Sequence, residues 1–509
     1  MLSQKSTQGP WGIHWFRRDL RICGNEALRD NWIRNQGRVL GLFCLDSQLL
    51  SHSDFSHNRF AFLLKTLDSL RQELREQGGD LLIVAESAPK TFPKLVDYLK
   101  RKSISSPSLI SWCRDYEPSI RQGDEQTTKL LQQLGVETQD YRDHLLFEPH
   151  EILKNETKGA SDFYQIFSPY GRKWFACLNQ DFAQKRLRSQ APVPAYYERL
   201  NSHGQKLIFH MKWDTLMSQG DFPFADSWAE LHRKSQQKVT IPIPNAGAQV
   251  AQEKLLEFMD KIENYKVERD FPAIQGTSRL SIYLKNGSLV SSQVLAQILP
   301  RFGNLNWHVD SGLNQFVKEI AWREFYFSIL FHRPDVESRS FLPQYENLAW
   351  ENNPQWFKKW KEGMTGFPII DAGMRELNET GWMHNRVRMI VASFLTKDLL
   401  IDWRWGESYF MKMLLDGDLA ANNGGWQWAA STGCDPQPYF RIFNPWLQSK
   451  KFDPQGTYIK TFVKELRDTP SQALHDPKHS DLRKGYPKPM VSHEEQRPKA
   501  LRLYNPIVR

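Results

Sequence analysis

Over the first 140 residues short apolar runs alternate with longer amphipathic ones. Gly12–Phe16 and the run 38–46 (RVLGLFCLD) are apolar, with β-branched and aromatic side chains, and each reads as a buried strand. Apolar positions 60, 63, 64, 67 and 70 recur at helical spacing, and Gly78 and Gly79 stop that helix. A strand at 81–86 (LLIVAE), a helix at 89–102, a strand at 109–113 (LISWC) and a helix at 118–134 continue the series. Strands separated by helices at this spacing predict a Rossmann-like α/β domain with a parallel sheet over residues 10–142.

The period then fails. Prolines 149, 169, 192, 194 and 223 interrupt residues 143–225, which read as an interdomain connector lying on the surface of both domains. From 248 to 265 the apolar positions 255, 256, 259 and 262 form one stripe, and the pattern stays helical to about 485, so a larger all-α domain spans 226–485. A polar, proline-bearing tail follows at 486–509. Within 365–445, Val387, Ile390, Val391, Phe394 and Leu395 mark one buried helix face, with Asn385 and Met389 a turn apart on another. Asp416, Asp418, Asn422, Asn423, two glycines, Trp426 and Trp428 come next, a polar pocket rimmed with indoles.

Composition narrows the function classes. The chain of 509 residues exceeds the roughly 250–300 at which one core stops growing, in keeping with two domains. No apolar run approaches the ~18 residues of a membrane span. Residues 1–10 carry no export signal, and the five cysteines never form a CxxC pair, so a cytoplasmic protein without structural zinc is expected. No metal cluster, nucleophile elbow or Walker loop is visible. The net charge of +9 suggests a polyanionic partner. Ten of the 18 tryptophans lie from Trp322 to Trp446, a density that points to stacking, recognition or electron transfer. No GxGxxG follows the first strand; a basic turn, WFRRDLR (15–21), stands there instead. Thr277, Ser278, Arg279 and Ser281 after Gly276 suit a phosphate site or an ordinary helix cap.

Six ordered motifs settle the context: WFRRDLR, RDFPAIQGTSRLS (269–281), KEIAWREFY (318–326), TGFPIIDAGMREL (365–377), WMHNRVRMIVASFLTKDLLIDW (382–403) and DGDLAANNGGWQWAASTG (416–433). Together they resemble the photolyase and cryptochrome family, and most closely its microbial cyclobutane pyrimidine dimer photolyases. The resemblance implies an α/β domain joined by a long connector to a helical domain holding FAD. It further implies a second antenna chromophore of folate or deazaflavin type, pyrimidine-dimer DNA as partner, and a monomer.

Residue by residue, the resemblance implies that Tyr265, Thr277, Ser278, Arg279, Leu280 and Ser281 hold the phosphates and ribityl chain. Asp416 and Asp418 would face the adenine, ribose and ring side, with Arg388 paired to Asp416, and Asn422 would sit beside the flavin's central nitrogen. Trp322 and Trp428 would wall a flipped dimer, Glu319 would bond a pyrimidine edge, and Asn385 and Met389 would touch its other side. Arg386 and Arg441 would clamp phosphates. Trp426, Trp403 and Trp350 match the family's electron relay, and Glu117 would be an antenna contact. Alternatives are a blue-light sensor of cryptochrome type, a flavoprotein that binds DNA without repair, and a photolyase for the (6-4) lesion. The last uses two histidines where Asn385 and Met389 stand.

Overall fold

The computed structural model describes residues 9–46, 50, 55–154, 162–190, 207–303 and 305–505. Most of the N-terminal stretch read for export signals, parts of the connector and the last four residues of the tail lie outside them.

Five strands, β1 (Gly12–Phe16), β2 (Val39–Cys44), β3 (Leu81–Val84), β4 (Leu109–Cys113) and β5 (Thr138–Tyr141), form one parallel sheet in the order β3-β2-β1-β4-β5. Helices α1 (Glu26–Arg34), α2 (His57–Glu76), α3 (Ala88–Arg101) and α4 (Pro118–Gln133) make the crossovers. Covered on both faces, β1 to β4 are almost wholly buried, which is why they read as continuous apolar runs. The edge strand β5, Thr-Gln-Asp-Tyr, has no such run and gives no signal in the sequence.

Strand order reverses between β1 and β4, where doubly wound sheets leave a crevice at the carboxyl ends. Here the crevice is closed by charge. Arg17 donates to the Cys113 carbonyl and pairs with Asp124, while Arg18 pairs with Glu117 at 2.9 Å.

The connector departs from its sequence reading. Helix α5 (Phe167–Leu178) forms within it and enters the helical core, with Trp174 fully buried. Glu324, on the 21-residue helix Gly312–His332, explains the docking. Its carboxylate accepts from Trp174 Nε1 at 2.7 Å, from Leu146 N at 2.5 Å and from Phe147 N at 3.2 Å. A proline-broken segment thus leaves the surface by lending its donors to one buried acid.

The tail also departs. Its helix His493–Tyr504, capped by Ser492, packs on the π-helical turn Phe394–Asp398. The Tyr504 hydroxyl donates to the Ala430 carbonyl at 2.5 Å, the Lys397 ammonium lies 3.7 Å from the Tyr504 ring centre, and His493 meets Asp398 at 2.6 Å. The predicted stripe at 248–265 is a helix, Ala248–Met259, followed by short turns through Tyr265.

Candidate functional site

Three helices gather the motif residues: Gly312–His332, Asn385–Ser393 and Leu419–Ala430. The second is set by His384, whose Nδ1 accepts from the Arg386 backbone N–H at 3.1 Å. Burial lowers His384 to about 4, so the ring stays a neutral acceptor at physiological pH. Asn385 is exposed, and its amide nitrogen lies 3.9 Å from Met389 Sδ, so the two form one patch. Arg388 grips Asp416 with Nη2 at 2.9 and 3.2 Å, the pairing the resemblance implied.

Asp418 stands at the N-cap of Leu419–Ala430 and divides its two oxygens. Oδ2 takes Arg18 of the α/β domain at 2.5 Å, with Lys285 at 3.8 Å, while Oδ1 is buried without a partner. The carboxylate thus ties the domains together and keeps one oxygen unpaired. One turn on, Asn422 donates its amide to the Glu407 carbonyl at 3.0 Å, and no described group donates to its Oδ1. Gly425 faces open space, whereas a Cβ at Gly424 would lie 2.1 Å from Tyr326. A buried orphan acceptor, an amide oxygen awaiting an N–H and an unfilled helix face suit a flat heterocycle with ring N–H groups and a hydroxylated tail, as FAD has.

The loop before Ser281–Asn286 carries half-buried Thr277 and Ser278, and half-buried Ser281 opens the helix. Ser278 Oγ accepts from the Leu280 N–H at 3.4 Å. Arg279 is exposed, in left-handed backbone at φ 51°, with its guanidinium 4.3 Å from the Trp382 ring centre. Tyr265 lies buried under the Arg269 guanidinium.

On the outer side Glu319 pairs with Arg269 and accepts from Gln315 at 2.8 Å, and Arg386 pairs with Asp270 at 2.7 Å. The adjacent residues Arg269 and Asp270 therefore bridge Glu319 to Arg386, and so two helices to one another. Sequence reasoning passed over this pair, although both open the motif RDFPAIQGTSRLS. Trp322 is half-buried, with one face stacked on Phe167 of α5 at 3.7 Å and 13°. Trp428 is half-buried, and Arg441 is exposed, with no ion pair among the described residues.

Trp426, Trp403 and Trp350 fall on one apolar cluster. Trp426 and Trp403 are buried and Trp350 half-buried, 6.3 Å from Tyr504. Trp426 fits only because residue 406 is glycine: a Cβ there would stand 2.1 Å from the indole.

A cavity of about 370 Å³ lies between the ends of β1 and β2, the start of α2 and the helical domain, and shares Arg18 and Lys285 with Asp418 of this site. Arg17, Arg18, Arg59 and Lys285 line it together with Phe43, Leu45, Phe55 and Phe60. Glu117 is not a lining residue; it pairs with Arg18 and Lys285 at 2.9 and 3.4 Å.

Residues 316–506 match the family described as the FAD binding domain of DNA photolyase, and residues 12–194 match DNA photolyase. The chain belongs to the DNA photolyase family. The deoxyribodipyrimidine photo-lyase of Alkalihalophilus pseudofirmus is 37% identical over 96% of this chain and 97% of its own. Among solved structures, the class III photolyase of Agrobacterium tumefaciens superposes with TM-score 0.78 at 31% identity, covering 100% of both chains. The Sulfolobus tokodaii photolyase, described with two FAD molecules and a novel light-harvesting cofactor, superposes with TM-score 0.74 at 31% identity over 97% of this chain and 99% of its own. This photolyase-family chain is a flavoprotein of DNA repair, and damaged DNA is its substrate class. No described helix is long and apolar enough to cross a membrane.

Proposed function

We propose that this chain reopens cyclobutane pyrimidine dimers in DNA under blue or near-ultraviolet light. The reading is carried by the patch at the start of Asn385–Ser393, where an amide and a thioether lie 3.9 Å apart. Neither side chain titrates near neutral pH. Opening a cyclobutane ring by gain and return of one electron transfers no net proton, so such a patch suffices. The nearby imidazole, His384, is buried and holds a backbone N–H with Nδ1, a capping role.

FAD, when bound and reduced, supplies a light-activated one-electron donor. The chain's residues do the rest. Arg388 holds Asp416 in place, Asp418 Oδ1 and Asn422 Oδ1 accept from the cofactor, and the hydroxyls of Thr277, Ser278 and Ser281 meet its phosphates. An extruded dimer packs on the face of Trp322 that Phe167 leaves open and on Trp428. Extrusion itself is the general expectation for photolyases. Glu319, already oriented by Arg269 and Gln315, bonds a pyrimidine edge. Arg441 meets backbone phosphate directly, whereas Arg386 must share itself with Asp270. Trp426, Trp403 and Trp350 carry electrons inward when the cofactor needs reducing. The 370 Å³ cavity, apolar on one side and cationic on the other, takes a planar antenna with an anionic tail, with Glu117 acting through Arg18 and Lys285.

The test uses reduced, anaerobic protein, illuminated with duplexes carrying one cyclobutane dimer or one (6-4) lesion. Restoration of the first alone is expected, along with release of about one FAD per chain on denaturation. Repair of the (6-4) lesion alone overturns the choice of substrate. Tight flavin with no repair of either lesion turns the reading to a light sensor.

A further inference from the structure

Phe167, the first residue of α5, belongs to the connector, yet its ring lies flat on the Trp322 indole at 3.7 Å and 13°. It is buried, and its ring also packs at 5.8 Å on Phe325, from the same long helix as Trp322, and at 5.8 Å on Trp307. The backbone of Phe167 is held as firmly as its ring. Ile166, which precedes α5, offers no side-chain cap, and the Phe167 N–H donates instead to Asp435 Oδ2 at 3.0 Å. A carboxylate at a helix N-terminus satisfies an otherwise orphaned donor and meets the positive end of the helix dipole.

Asp435 carries this contact to the other side of the site. It stands in left-handed backbone at φ 45°, just after the helix that bears Trp428. Beyond it the Gln437 backbone N–H donates to the Trp428 carbonyl at 3.3 Å, and Gln437 Nε2 donates to the Arg441 carbonyl. One carboxylate therefore joins the backing of Trp322 to the turn at 431–441, which leads from the Trp428 helix to Arg441. We propose that Phe167 is a positioning residue for dimer recognition, holding the Trp322 indole plane in place behind the substrate, and that Asp435 locks it to that turn.

The packing of Trp322 favours this role. Its own helix supplies Phe325 at 81° and Tyr326 at 33°, both 5.6 Å away, and neither lies flat on the indole as Phe167 does. With no ring behind it, a half-buried indole turns about its side-chain bonds and has to be ordered when the dimer arrives. Ordering one side chain on binding weakens affinity about two- to tenfold. An undamaged duplex keeps its bases stacked and makes no use of the wall, so its affinity is independent of Phe167.

The inference rests on the proposed wall at Trp322, and the experiment separates the two. Holoprotein variants are titrated with a duplex carrying one cyclobutane dimer and with the same duplex undamaged, and the quantum yield of repair is read at saturating DNA. F167L fills the volume of the ring without its flat face. It should raise the dimer Kd about two- to tenfold and leave the undamaged-duplex Kd and the saturated quantum yield at parent values. D435A should weaken dimer binding in the same direction, and D435N, which keeps an acceptor oxygen, should restore most of it. In a W322A background F167L should have no further effect. Should F167L fail to retain flavin, D435A against D435N makes the same comparison with the ring intact. Parent-like dimer binding by F167L, an equal loss on both duplexes, or a loss that persists in the W322A background overturns the positioning role. Parent-like dimer binding by D435A overturns the lock. Dimer binding unchanged in W322A alone overturns the wall itself, and this inference with it.

Discussion

Replacing Arg18 with alanine should loosen both the domain junction and the cofactor. Its guanidinium sits among Asp418 at 2.5 Å, Glu117 at 2.9 Å and Asp115 at 3.4 Å, with the Arg18 and Asp418 side chains only 12% and 8% exposed. Burial by itself would raise Asp418, but the charges of Arg18, Lys285 and Arg323 outweigh it and hold the carboxyl below its ordinary range. Removing one partner of a buried ion pair costs about 3–5 kcal/mol. Lys285 remains within 3.8 Å, so the lower end applies. For 509 residues the unfolding entropy is roughly 1 kcal/mol per degree, giving a melting shift of about 3 °C if the chain melts as one unit and more if a domain melts alone. The pH dependence carries a sign. In the parent the depressed Asp418 contributes stability that is complete above about pH 4 and lost as pH falls through the folded value. Without Arg18 burial dominates and raises Asp418, so the deficit is largest at neutral pH and shrinks on acidification. Differential scanning calorimetry at pH 7 and pH 5, with flavin retention measured alongside, reads both effects. Adding Asp418→Asn removes the stranded charge and should recover part of the loss. A melting point within about one degree of the parent, with flavin fully retained, would refute the reasoning.

Other substitutions probe the site from different sides. Glu319→Gln should lower repair per absorbed photon more than dimer affinity, read by quantum yield against a binding titration. Trp322→Ala should do the reverse, weakening binding by about 1–3 kcal/mol, and an unchanged Kd would rule the indole out as a wall. Arg441→Ala should flatten the salt dependence of DNA binding by about 0.9 in log–log slope. Arg386→Ala should change it less, because Asp270 already neutralises Arg386 at 2.7 Å. His384 titrates lower in the folded chain than its ordinary value, so the unfolded chain binds more protons and stability falls as pH drops from about 6.5 towards 4. His384→Asn keeps a capping acceptor and removes the titration, so denaturant midpoints across that window should flatten.

What the chain discloses before folding depends on how local the constraint is. Strands β1 to β4 are legible because burial on both faces demands consecutive apolar residues, which Gly12–Phe16 and Leu109–Cys113 supply. The edge strand β5 is under no such demand and stays silent. Helix α5 is misread for a related reason: prolines break the pattern around it, and the force that buries Trp174 is Glu324, 150 residues away. The docked tail is the same case, since its anchors Asp398, Lys397 and Ala430 lie far upstream of Tyr504. The Arg388–Asp416 grip is named in advance because its motifs specify it, while Arg18–Asp418 spans 400 positions and joins two motifs that read as separate. That last pair changes how WFRRDLR is to be understood. A basic turn after a first strand reads as an anion site, yet here its second arginine is consumed by three carboxylates, one of which belongs to the residue just before the helix bearing Asn422 and Trp426. One oxygen of Asp418 holds the α/β domain, and the other, buried without a partner, is the one proposed above to meet the cofactor. On the proposed placement of FAD, domain docking and flavin retention are linked through one side chain, and a change that weakens either should be felt in the other.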